Sequence, residues 1–130
     1  MAQPIAGTPA TAGRTEPPPD IVTMRETASQ LLGPDDAPDF LPPGQAELDT
    51  LTRTLRGHLE VLLPDVERLA TAPHKSVQQY CALACVGEAR RKLTITPDPD
   101  LRSRALHSRR LARSVDALCT HYERLTRGPR

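Results

Sequence analysis

Cys81, Cys85, Cys119, His58, His107 and His121 are among the few side chains here that can attack, ligate or carry a proton. Cys81 and Cys85 stand four apart, one turn along a helix face, and two thiolates so placed can hold a soft metal ion. Cys119 and His121 are the candidates for the remaining ligands. On a helix, however, positions 119 and 121 point roughly 200° apart, so both do not face one ion. The paired Cys-x-x-Cys knuckles of a structural zinc site are absent. The three cysteines therefore read as reduced, buried thiols at a tight helix contact.

His58 lies near Glu60, and a histidine beside a carboxylate can act as a general base. No Ser-His-Asp or Cys-His order is legible, and no glycine-rich phosphate loop, dinucleotide fingerprint or Ca²⁺ loop occurs. The chain is therefore expected to be non-enzymatic and to need no metal or cofactor. If a pocket forms inside the fold, His58, Tyr80, Cys85 and Tyr122 are the residues expected to line it.

Charge is distributed unevenly. Residues 1–72 hold 5 basic and 11 acidic side chains, whereas residues 73–130 hold 12 basic and 5 acidic ones. The last predicted helix carries Arg102, Arg104, Arg109, Arg110, Arg113, Arg124 and Arg127, a potential phosphate-binding face for nucleic acid. The competing reading is that acidic and basic halves face each other across the fold. The arginines are read as spread around the helix, and the net charge is only +1, which favours that second reading. Glu88, Arg90 and Arg91 form a charged cluster directly after an uncharged run, either an ion pair fixing helix register or the rim of a partner groove. Together with Arg109, Arg110 and Arg113 they are the expected partner-binding residues.

These side chains need a scaffold, and 130 residues suit a single domain. Leu, Ile, Val and Phe number 27, enough for a compact helical core but little more. Only Phe40, Tyr80 and Tyr122 are aromatic, which argues against a stacking platform for single-stranded nucleic acid. No run of 18 or more apolar residues occurs, so no membrane span is expected. The N-terminus shows no basic and then apolar stretch, so no secretory signal is expected, and the expected compartment is the cytoplasm.

Residues 1–19, rich in proline, read as a disordered arm, and a single helical domain is expected over 20–127. Asp20 caps a short first helix over 20–33, stopped by Gly33-Pro34. Residues 34–44 follow as an extended connector, with Phe40 and Leu41 fastened to the core. Leu48, Leu51, Leu55, Leu59 and Leu62 give the second helix, 45–72, an apolar stripe, and Pro64 is expected to kink it. Ser76 and Gln79 form a capping box for a third helix over 76–94. Its uncharged run from Tyr80 to Gly87 reads as a central helix, apolar on every side. Asp98-Pro99 starts a long fourth helix over 98–127. The expected fold is all-α, a four-helix bundle with a short first helix.

Several segments carry a family resemblance: Met24 to Thr27, Leu55 to Leu59, Leu63 to Glu67, Cys81 to Arg91, and Arg110 to Val115 with Ala117 to Cys119. In this order, across residues 22–125, they resemble a family of short, uncharacterised proteins from streptomycete-type actinobacteria labelled as natural product biosynthesis proteins. The resemblance implies a cytoplasmic protein tied to specialised-metabolite genes. It implies no reaction, cofactor or catalytic residue.

The reading that follows is a small helical accessory protein that binds a protein partner. A nucleic-acid-binding regulator using the last helix is the alternative, and a small-molecule binder with a pocket inside the bundle is another. A homodimer would extend the seam of the last helix across two chains.

Overall fold

A computed structural model describes residues 17–33, 44–73 and 76–127, which fold into four α-helices without a strand. These are α1 (Ile21–Leu32), α2 (Gln45–Ala70), α3 (Val77–Leu93) and α4 (Leu101–Arg127). The expected connector over 34–44, with Phe40 and Leu41, and all of the expected arm before Pro17 lie outside the described residues, Gly44 excepted.

Local chemistry sets the helix ends. Asp20 accepts the Thr23 N–H at 3.1 Å and so satisfies one donor of the first turn of α1. Gly33 closes α1 at φ 68°, a left-handed conformation that glycine adopts without a Cβ clash, and its N–H donates to the Ser29 carbonyl. α2 runs unbroken through Pro64, whose ring sits on the exposed side of the helix. α4 starts at Leu101, three residues later than expected. Asp100, not Asp98, is placed to cap it, accepting the Ser103 N–H at 2.9 Å.

The capping box of α3 forms as expected and does more than cap. Ser76 Oγ accepts the Gln79 N–H, and Gln79 Oε1 accepts the Ser76 N–H. The buried Gln79 amide then donates from Nε2 to the carbonyls of Leu69 and Ala72, both at 3.2 Å, stitching the end of α2 to the start of α3. Gln79→Ala strands these groups and is expected to lower stability by about 1–3 kcal/mol in urea denaturation. Gln79→Glu keeps the acceptor but turns a buried carboxylate oxygen toward the two carbonyls, and should cost at least as much.

Side-chain pairs fix the directions of the helices. Asp49 pairs with Arg104 and Thr52 with Ser108, so α2 and α4 run the same way. Arg25 reaches Asp116, Thr120 and Glu123, while the Leu31 carbonyl meets Arg109, so α1 runs antiparallel to α4. Gln79 meets Leu69 and Arg56 meets Leu93, which sets α3 antiparallel to α2. The order is up-down-up-down.

The parallel pair α2 and α4 is the spine and shares the largest contact. Leu55, Leu59, Leu62 and Val66 of α2 are wholly buried, as are Leu111, Val115, Leu118 and Cys119 of α4. α1 and α3 each pack on this pair, and they do not touch each other. α3 is thus a peripheral helix, correcting the expectation that it is central. Its small residues Ala82, Val86 and Ala89 are the ones buried against the spine.

Candidate functional site

Being peripheral gives the uncharged run of α3 a different meaning. One face is packed, and the opposite face is open. At helical spacing that outer face reads Val77, Tyr80, Cys81, Ala84 and Gly87, then Glu88 and Arg91. Val77 is 77% exposed and Tyr80 65%, and Cys81, Ala84 and Gly87 are exposed with them. Two expectations are corrected here: Tyr80 is not an interior pocket residue, and Cys81 is not a buried thiol. Both follow from the position of α3 at the edge of the bundle.

The charged end of this face is organised by two exposed ion pairs. Arg91 bonds Glu88 one turn back at 2.7 Å, and Arg90 reaches across to Glu67 of α2 at 2.8 Å. Each guanidinium holds its carboxyl partner below the usual carboxylate range. Exposed pairs of this kind contribute little stability. They leave polar groups bordering an apolar strip.

A second surface lies on α4. At 100° per residue, Arg102, Arg109, Arg113 and Arg124 fall within an arc of about 60°, so the arginines form a stripe. The expectation that they are spread around the helix is corrected. Arg102, Arg110, Arg113, Arg124 and Arg127 are all exposed along it. The two acidic residues of α4, Asp116 and Glu123, lie to one side and are engaged by Arg25 of α1. Opposed charge halves therefore describe only part of the pairing. Arg90–Glu67 and Arg104–Asp49 follow that pattern, whereas Arg25 reverses it.

The six expected partner-binding residues do not form one patch. Glu88, Arg90 and Arg91 belong to α3. Arg109 donates to the Leu31 carbonyl at the end of α1, and Arg113 lines a groove on the α1 side with Arg25 and Asp116. Arg110 is exposed on α4 between these two sides. The four expected pocket residues are dispersed as well. His58 is half-buried with Nε2 3.3 Å from Thr27 Oγ1, and Cys85 and Tyr122 pack partly buried against the core. None of the four lines the groove on the α1 side.

Among the described residues, no three His, Cys, Asp or Glu side chains gather as a metal cage requires. Cys119 lies in the core, where burial pushes its thiol up to about 11, and burial also raises that of Cys85. Cys81 is the exposed thiol.

Burial pushes the imidazoles of His58, His107 and His121 down, with Arg56 and Arg110 acting on His107 and Arg124 on His121. The unfolded chain then binds protons more readily than the folded one. The stability these histidines contribute is fully present above an unfolded value of about 6.5 and is lost as pH falls through the lower folded values. Urea midpoints are expected to be lower at about pH 5.5 than at about pH 7.5, with a smaller difference in His107→Gln.

These features define a small all-α protein: an up-down-up-down bundle with one open apolar helix face and one arginine-lined helix face. The chain belongs to the family of unknown function DUF6415, whose model matches residues 22–127. No curated protein and no solved structure matches it. Among the described residues, no helix is long and apolar enough to cross a membrane.

Proposed function

We propose that this chain is a small non-enzymatic interaction module whose outer α3 face docks against an amphipathic helix of a protein partner. The observation that carries this reading is an apolar strip, Val77–Tyr80–Cys81–Ala84–Gly87, on the solvent side of a helix already packed on its other side. The strip is one helix wide. Tyr80 supplies an aromatic anchor, and the ion pairs of Glu88, Arg90 and Arg91 supply a polar rim.

Gly87 supports a close-packed helix as the occupant. A Cβ at Gly87 would meet nothing within 4 Å, so the fold itself has no need of glycine there. Glycine in a helix interior costs about 0.8–1 kcal/mol relative to alanine. A partner backbone drawn close to Cys81, Ala84 and Gly87 accounts for tolerating that cost. The resemblance to streptomycete-type natural product proteins supports a cytoplasmic partner encoded among specialised-metabolite genes.

The test is site-specific photo-cross-linking from position 77 in the native host, with the cross-linked peptide mapped on the partner. The expected site is the apolar face of one helix, with cross-linking lost in Tyr80→Glu. Gly87→Leu should weaken docking while leaving the protein folded, and so should charge reversal at Arg90 and Arg91. Cross-links to this same chain, with a doubled hydrodynamic mass, would replace the partner by a second copy. Unchanged cross-linking in Tyr80→Glu and Gly87→Leu would overturn the proposal.

The arginine stripe of α4 favours a second reading, a regulator that binds nucleic acid by its phosphates. Affinity for duplex DNA should then fall with salt at a log–log slope of roughly −0.9 per phosphate neutralised. Absence of binding at about 50 mM salt would end that reading.

A further inference from the structure

The Leu93–Pro97 segment, leading from α3 to α4, folds over α2 and the first turns of α4 and leaves a cleft of about 300 Å³. That volume is at the lower end of small-molecule sites. Leu93, Ile95 and Pro97 give it an apolar wall. The facing wall is polar because Thr52 and Arg56 are one turn apart on α2, as are Arg104 and Ser108 on α4 with His107 between them.

Arg104 is neutralised by Asp49. Arg56 donates one N–H to the Leu93 carbonyl at 3.1 Å, a neutral acceptor, and no carboxylate among the described residues pairs with it. A guanidinium carries five N–H donors, so most of its capacity is uncommitted. Beside it, the imidazole of the buried His107 is held toward its neutral form by burial and by Arg56 and Arg110. Thr52 donates its hydroxyl proton to the Leu48 carbonyl at 2.7 Å, so Ser108 is the donor in the Thr52–Ser108 contact. Both hydroxyl protons are then used, and the oxygens remain as acceptors.

We infer that this cleft binds a small anionic metabolite, with a carboxylate or phosphate head on Arg56 and His107 and a hydroxyl or amine directed at Thr52 and Ser108. Planar pairing of Arg56 with either head group is the strong contact, and the apolar wall takes the carbon skeleton.

The experiment is titration of the full chain with inorganic phosphate and, separately, with malate at constant ionic strength, followed by amide shifts in two-dimensional NMR. Saturable shifts are expected at residues 52–56, 93–97 and 104–108. Affinity should drop about tenfold or more in Arg56→Gln and be unchanged in Arg124→Gln, which removes the same charge at the far end of α4. His107→Gln tests the second donor without touching the Arg56–Leu93 bond. Tighter binding of phosphate assigns a phosphoryl head, and tighter binding of malate assigns a carboxylate. Absence of saturable shifts with both probes up to about 10 mM, or equal weakening in Arg56→Gln and Arg124→Gln, overturns the inference.

Discussion

Leu62→Ala is expected to lower the unfolding free energy by about 3–4 kcal/mol, a large part of the stability of a domain this size. Leu62 is wholly buried on the core face of α2, and α2 has its largest contact with α4. The cavity left behind has little room to collapse, which is what places the cost toward the upper part of the usual range. The next residue provides the control. Val61 is 48% exposed, so Val61→Ala should change stability by less than about 0.5 kcal/mol. Guanidinium denaturation of the two variants beside the parent checks the pair. Equal, small effects at both positions would mean that α2 and α4 do not form the spine described.

Ala89→Leu carries the second large effect. Ala82 and Ala89 are wholly buried, and Val86 nearly so, where α3 lies on α2 and α4. A leucine at 89 has no space there, and over-packing of this kind costs about 1–3 kcal/mol. Ala84→Leu adds the same atoms to the same helix on its outer side and should leave folding stability nearly unchanged. A melting temperature lowered only by the change at 89 separates the packed face of α3 from its open one. Ala84→Leu should also hinder docking, so the two alanines report on fold and function in turn.

Helix boundaries were the most legible feature of this sequence because their causes are local. As caps, Asp20, Gly33, Ser76 and Gln79 each bond a group within four residues of their own position, and all four cap as their types require. The leucine stripe of α2 was legible for the same reason, since spacings of three and four define one helix face. Asp100 was missed as the cap of α4 because Asp98-Pro99 offers an equally good pattern two residues earlier. Only the bond to the Ser103 N–H distinguishes them.

The place of α3 was not legible. An uncharged run is produced equally by a helix packed on all sides and by one packed on a single side with an apolar face left open. Tertiary neighbours decide between these, and periodicity contains no information about them. Cys81 and Tyr80 were misplaced together for that one reason. The arginine stripe differs, since it was available from helical geometry alone. Arg102, Arg113 and Arg124 are separated by 11 residues each time, close to three full turns. The cleft at Arg56 and His107 had no sequence signal, because it joins positions 52–56 to positions 93–108 across the bundle.

Because α1 and α3 make no contact, the molecule has an uneven hierarchy of closure. α2 and α3, and α3 and α4, follow one another along the chain and pack as neighbours, whereas the α2–α4 contact joins residues 55 and 56 positions apart. α1 instead meets α4 through Arg25, across sequence separations of 95 and 98 residues, and adds a smaller contact with α2. It is the shortest of the four helices and holds the longest-range contacts, so it is the element most easily released without global unfolding. Amide hydrogens of α1 should accordingly exchange before those of α2 and α4, with Arg25→Ala accelerating α1 alone. α1 would then behave as a clasp that opens in native conditions, uncovering for a moment the flank of the spine beneath it.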